Sequence, residues 1–122
     1  MKRIILMLVL ALSFYGEMVA DGEAAAQINL QHKKHNGGRP NVLDDEPNAY
    51  YDSNLQQIII DGNGTVNYYD VNITSLTTWN LVISCVVNGS YDTIDISSLP
   101  ADDYQIVISS IYNVYEGYFS NY

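Results

Sequence analysis

The run Trp79-Asn80-Leu81-Val82-Ile83-Ser84-Cys85-Val86-Val87-Asn88-Gly89-Ser90-Tyr91-Asp92-Thr93-Ile94-Asp95-Ile96 decides the fold class. Alternate residues place Trp79, Leu81, Ile83, Cys85 and Val87 on one side and Asn80 and Ser84 on the other, the period of two expected of a half-buried strand. Beyond Asn88-Gly89, Ile94 and Ile96 alternate with Thr93, Asp95 and Ser97 in the same way. One buried and one wet face per run is the pattern of an antiparallel sheet. Asn-Gly tolerates the positive φ angles of a two-residue turn, so the spacing predicts a hairpin across residues 88–89.

Strand-length apolar runs recur on either side of this stretch. They cover Leu55 to Ile60, Val66 to Ile73, Tyr104 to Ile111 and Val114 to Ser120, and begin about every 8 to 12 residues, the spacing of a sandwich or barrel. Ile, Val, Thr and Tyr dominate them, while good helix formers are scarce. The segment 27–54 is polar and broken by Gly37-Gly38, Pro40 and Pro47, which predicts an edge strand at Ile28 to Leu30 followed by a long loop, with the main strands in 55–122. Leu99-Pro100-Ala101-Asp102-Asp103-Tyr104 has the form of a tyrosine corner, in which the phenol at a strand start bonds back to the preceding turn. The expectation is an all-β antiparallel sandwich of about six or seven strands.

With 122 residues, 48% hydrophobic and 16% charged, the chain has the balance of one globular domain. Lys2-Arg3 followed by an unbroken apolar run from Ile4 to Leu12, too short to span a bilayer, reads as a secretory signal peptide. Cleavage is expected near Ala26, or alternatively after Ala20, giving a leader over 1–26 and a soluble mature domain over 27–122. Beyond the leader only Lys33, Lys34 and Arg39 are basic. The net charge of −9 argues against nucleic acid and anionic lipid as partners. Cys85 is the one cysteine, so no internal disulfide can form.

The chemistry-bearing motifs each have a plainer reading. Residues 61–70 (Asp61-Gly62-Asn63-Gly64-Thr65-Val66-Asn67-Tyr68-Tyr69-Asp70) resemble a calcium loop but are two residues short and lead into strand-forming sequence, so a Gly-rich hairpin turn is expected. His32-Lys33-Lys34-His35, with Asp44, Asp45 or Glu46 as a third ligand, has two ammonium groups opposing a cation, and a solvated loop is expected. Cys85 lies mid-strand, where burial raises the thiol pKa, and reads as core. No metal, cofactor or catalytic residue is expected, and the chain reads as not an enzyme. Eleven tyrosines exceed what a small core can hold. Tyr50, Tyr51, Tyr68, Tyr69, Tyr115 and Tyr118 therefore form a candidate recognition surface, while Leu99 and Tyr104 form the structural corner.

Ile28-Asn29-Leu30, Arg39-Pro40, Ile94-Asp95-Ile96-Ser97-Ser98-Leu99-Pro100, Tyr104-Gln105-Ile106-Val107-Ile108 and Tyr115-Glu116-Gly117-Tyr118-Phe119, behind a signal peptide, resemble a family of small exported immunoglobulin-like domains of unknown function from Gram-negative gut anaerobes. The resemblance covers nearly all of the mature chain. Such domains usually carry Gly before the corner Tyr, where this chain has Asp102-Asp103. The same stretch also looks like the C-terminal sorting domains that some of these bacteria attach to secreted cargo. The resemblance implies an immunoglobulin-like sandwich and a periplasmic, cell-surface or extracellular location, and brings no catalytic residues. A non-catalytic binding module for protein or glycan is the leading expectation. The alternatives are a structural, assembly or sorting element with weak self-association through edge strands, and a secreted protease inhibitor presenting a loop over 37–52.

Overall fold

The computed structural model describes residues 25–35 and 44–122. The expected leader, apart from Ala25 and Ala26, and the first part of the expected inhibitory loop lie outside these residues. Every regular element described is a strand: β1 Ala25–Ile28, β2 Gln31–His35, β3 Asn48–Asp52, β4 Gln57–Asp61, β5 Tyr68–Ser75, β6 Leu81–Asn88, β7 Tyr91–Asp95, β8 Asp102–Ser109 and β9 Asn113–Asn121. They form two antiparallel sheets. One has the order β2-β9-β8-β5-β6 and the other β1-β3-β4-β7. Between them lie Ile58 and Ile60 of β4, Val71 and Ile73 of β5, Ile106 and Ile108 of β8, and Ile96 just past β7, all fully buried. The alternation read from the sequence is what aims these branched side chains inward, because successive residues of a strand point to opposite faces.

Among the described residues nine strands form where six or seven were expected, and the extra ones lie in 27–54. β2 is missed by a pattern search because Gln31-His32-Lys33-Lys34-His35 has no apolar alternation; it is an edge strand held by backbone pairing to β9, with Tyr115 opposite His32 and Glu116 opposite Gln31. The expected solvated loop at 32–35 is therefore a strand. Between β1 and β2 the chain passes from one sheet to the other at Asn29-Leu30. Gly117 of β9 makes room for that passage, since a Cβ there would lie 2.8 Å from Ile28, 2.9 Å from Leu30 and 3.0 Å from the Asn29 carbonyl.

The hairpin expected at Asn88-Gly89 does not exist. β6 pairs with β5, and β7 pairs with β4 in the opposite sheet, so residues 88–90 form a crossing between sheets. The connection 62–67 crosses in the same place, which also replaces the hairpin expected there. Gly62 and Gly89 are needed for close approach of these two backbones. A Cβ on Gly62 would fall 2.0 Å from the Gly89 carbonyl oxygen, and one on Gly89 would fall 1.9 Å from that of Val66. The contact is made by hydrogen bonds from the Gly62 amide to Ser90 O (2.9 Å) and from the Gly89 amide to Asn67 O (2.9 Å). Among the described residues, the glycine with positive φ is Gly64, at 79°. Asn-Gly therefore serves a backbone contact rather than a tight turn.

β6 also starts later than expected. Trp79 adopts the left-handed region (φ 61°) and closes the turn out of β5, its amide donating to Ser75 O at 2.8 Å. The register then slips, with Ile83 opposite Ile73 but Leu81 opposite Thr74, so that Val82 is the extra residue of a bulge. The slip reverses the alternation, which is why Leu81, expected on the core face, is 58% exposed.

At the other crossing the tyrosine corner forms as read. Tyr104 is fully buried and its hydroxyl donates to Pro100 O at 2.6 Å. Tyr51 of β3 stacks on Phe119 at 5.6 Å, and Phe119 on Tyr104 at 5.4 Å, a ladder that joins the two sheets. Asn121 accepts the Tyr51 hydroxyl (2.8 Å) and donates to the Leu99 and Pro100 carbonyls. Asp102, standing where a Gly was expected, accepts from the hydroxyls of Ser75 and Thr77, both at 2.7 Å. These bonds hold its carboxyl below the usual carboxylate range. They tie the β5–β6 turn to the start of β8.

Gly89→Ala should lower unfolding stability by about 2 kcal/mol or more, because the obstacle is backbone rather than a movable side chain. Gly64→Ala, with no such obstacle, should cost less, and urea unfolding of the two variants compares them.

Candidate interaction surface

The densest cluster of polar side chains is sealed inside the domain. Asp45, fully buried ahead of β3, accepts from Asn113 Nδ2 (2.8 Å), from the Tyr115 hydroxyl (2.5 Å) and from the Ser110 hydroxyl, while its backbone carbonyl accepts the Tyr69 hydroxyl at 2.6 Å. Ser110 Oγ in turn accepts from the amides of Tyr112 and Asn113, both at 3.0 Å. His32 of β2 lies 2.9 Å from Asn113 Oδ1 and packs edge-on against Tyr115. Of the residues read from sequence as loose metal-ligand candidates, His32 and Asp45 meet through their shared neighbours Asn113 and Tyr115, with Asp45 an internal tie between β5, β9 and the segment leading into β3.

This cluster settles two members of the expected recognition surface. Tyr69 is fully buried and Tyr115 is 3% exposed. Both occupy inward positions of their strands, and both phenols are engaged by Asp45, so they belong to the core and not to a surface. Burial, then Asp45 and Asp44, pushes the Tyr69 phenol up to about 12. Burial and the bond to Asp45 also push the Tyr115 phenol up. Tyr50 and Tyr51 are half-buried, leaving Tyr68 and Tyr118 as the exposed members of the set. Cys85 is half-buried on β6, and desolvation followed by Asp92 raises its thiol pKa.

The outer face of the five-stranded sheet is where exposed aromatic and amide groups gather. Strand register lays it out in rows. Gln31, Glu116, Val107, Asn72 and Ser84 stand side by side across all five strands. Lys34, Val114, Ser109, Asp70 and Val86 form the row on one side, and Tyr118, Gln105, Thr74 and Leu81 the row on the other. Glu116 is anchored within this face by the Tyr118 hydroxyl, by Gln105 Nε2 (3.0 Å) and by Lys33 Nζ (3.2 Å). Those bonds, the Tyr118 contribution first, hold its carboxyl below the usual carboxylate range. The result is a surface that offers aromatic faces, amides and one oriented carboxylate. Sequence reading found Tyr68 and Tyr118 but missed Asn72, Gln105 and Glu116; only strand register, which long-range pairing sets, brings them together.

Two shallow hollows lie elsewhere. One, of about 270 Å³, is lined by residues 27–30 and 46–48 beside the passage between sheets. The other, of about 180 Å³, lies between Thr65, Val66, Asn67, Tyr68, Ile111 and Tyr112. Among the described residues, no group of three His, Cys, Asp or Glu side chains is placed to hold a metal ion.

No protein-family model matches this sequence, and no curated protein matches it. Among solved structures, the chain is similar to a DUF3244 family protein with an immunoglobulin-like β-sandwich fold from Bacteroides vulgatus, with a TM-score of 0.63 and 17% identity over 80% of this chain and 99% of that one. At that identity the likeness establishes the fold: this chain is an immunoglobulin-like β-sandwich. It agrees with the small immunoglobulin-like domains that the sequence resembles.

Because Tyr69 and Tyr115 stay neutral in the folded chain at pH values where exposed phenols ionise, the folded state holds more protons than the unfolded state above pH 10 or so. Their contribution should be complete below that pH and fall away as pH rises through about 12. Urea midpoints measured from pH 9 to 12 should decline, and Tyr69→Phe, although less stable at neutral pH by about 1 kcal/mol, should decline less steeply.

Proposed function

We propose that this chain is an exported, non-catalytic binding module of the bacterial envelope that recognises protein or glycan through the outer face of its five-stranded sheet. The observation that carries the reading is the row structure of that face. Tyr118, 55% exposed, stands beside Gln105 and Glu116, with Asn72 and Thr74 in the neighbouring strand. Tyrosine supplies rigid contact area at low entropic cost, and amides supply adaptable hydrogen bonds, the combination found in protein and carbohydrate recognition. The non-catalytic part rests on the Asp45 cluster, whose hydroxyl and amide donors are consumed by internal bonds, and on the engagement of Glu116 by three neighbours.

Export is supported by the basic-then-apolar N-terminus, and the acidic balance disfavours nucleic acid. The assembly alternative, in which the segment before Asn54 is donated to a neighbour, loses support because β1 and β2 pair within their own chain. Asp44 to Asp52, the described part of the loop expected for an inhibitor, is tied down at Asp45 and in β3, which leaves little of it to present to a protease.

A glycan array and a quantified panel of purified envelope proteins test the reading. Tyr118→Ala and Gln105→Ala should each weaken a captured ligand about tenfold, with the fold unchanged by circular dichroism. Blank screens with both libraries, or a ligand indifferent to both substitutions, would overturn it.

A further inference from the structure

The edges of the two sheets are not alike. β1 is four residues long, β2 carries Lys33 and Lys34, and β7 carries Asp92 and Asp95. Short length and charge are the usual means by which natural sheets prevent another strand from adding to an edge. β6 has neither. Its eight residues, Leu81-Val82-Ile83-Ser84-Cys85-Val86-Val87-Asn88, include no charge and no proline, and among the described residues nothing pairs with its outer edge. Val86 is 62% exposed, and Leu81 and Val82 at the start of the strand and Trp79 in the turn before it are exposed as well. The bulge at Val82 disturbs the first turn of the ladder but leaves Ile83 to Asn88 in regular register with β5.

The surroundings of this neutral strand are acidic. Asp92 accepts from the Asn88 amide at 2.9 Å, at one end of β6. Asp102 is bonded to Ser75 and Thr77 in the turn that feeds the other end, and Asp70 stands opposite Val86. The described cations, Lys33 and Lys34, belong to β2, four strands away in the same sheet. At roughly 4.8 Å per strand that is about 19 Å, well beyond the screening length of about 8 Å at physiological salt. They do nothing to offset the carboxylates around β6. A second copy of this chain would bring the same carboxylates together, whereas a basic partner would meet complementary charge.

We propose that β6 is an acceptor edge that takes one extended segment of another polypeptide, apolar at alternate positions and carrying Lys or Arg at the end that meets Asp92. Backbone hydrogen bonds from Ile83 to Val87 would extend the sheet to six strands, the Asn88 amide being already bonded to Asp92. Val86 and Leu81 would cover the incoming apolar side chains, while Asp92 would face one basic end. This inference does not rest on recognition by the sheet face, since it uses the edge backbone and a different set of side chains.

Two capped synthetic heptapeptides serve as probes, one with the sequence Lys-Val-Thr-Val-Thr-Val-Lys and the other with Glu in place of both lysines. Amide hydrogen exchange followed by NMR should show at least tenfold slowing at alternate amides between residues 83 and 87 with the Lys-ended peptide, and none with the Glu-ended one. Val86→Lys, an exposed substitution that should leave the fold intact, should weaken the Lys-ended peptide at least tenfold, and Asp92→Asn severalfold. Raising salt from 50 to 300 mM should weaken binding further. Unchanged exchange at β6 with either peptide, equal binding of both peptides, or protection of β6 by self-association that salt strengthens would each overturn the proposal. The Tyr118 and Gln105 substitutions lie outside this edge and should leave peptide binding unaltered.

Discussion

The fold depends on one buried carboxyl group. Asp45 sits in the segment that brings the chain into the four-stranded sheet, yet its partners belong to the other sheet: Tyr69 on β5, Ser110 in the β8–β9 turn, and Asn113 and Tyr115 on β9. A buried carboxyl is costly unless its oxygens are bonded, and here both oxygens and the backbone carbonyl are. The same bonds satisfy two tyrosine hydroxyls that would otherwise be stranded in the core. With no disulfide available, this tie at one end of β8 and the Tyr104–Pro100 corner at the other set how the sheets stack. The isoleucine and valine core between them supplies most of the stabilising burial, but burial is non-directional and would accept other registers.

From that arrangement follows the unequal character of the surfaces. The N-terminal segment is drawn across Gly117 and placed on one edge of each sheet, so its lysines close the β2 side. β6, at the far side, is left as a long neutral edge. On the outer face between them Glu116 is held by Tyr118, Gln105 and Lys33 rather than projecting into solvent. The four-stranded sheet, by contrast, has short strands and one acidic edge, β7.

Much of the fold was legible in the sequence because the side-chain period of a strand is local. The runs that became β4, β5, β7, β8 and β9 were placed within a few residues, and the corner at Tyr104 was identified from a single tyrosine after a proline turn. What failed shares one cause, dependence on pairings between distant segments. Asn88-Gly89 has the composition of a hairpin turn, but the contact of Gly62 and Gly89 assigns it to a crossing. Leu81 changes face because of a bulge that no local pattern announces. β2 exists only because β9 offers it a ladder. For the candidate surface, Tyr68 and Tyr118 were found by counting tyrosines. The same count wrongly included Tyr69 and Tyr115, whose place is decided by the backbone carbonyl and the carboxyl of one residue, Asp45, 24 and 70 residues away.

The claim that Asp45 fastens the two sheets is tested most directly by equilibrium urea unfolding of Asp45→Asn. The substitution preserves shape but puts an amide donor where hydroxyl and amide donors converge. The account predicts a loss of about 3 kcal/mol or more, from charge-assisted bonds removed and buried donors left unmatched. A loss below about 1 kcal/mol, with near-ultraviolet circular dichroism of the tyrosines unchanged, would contradict it.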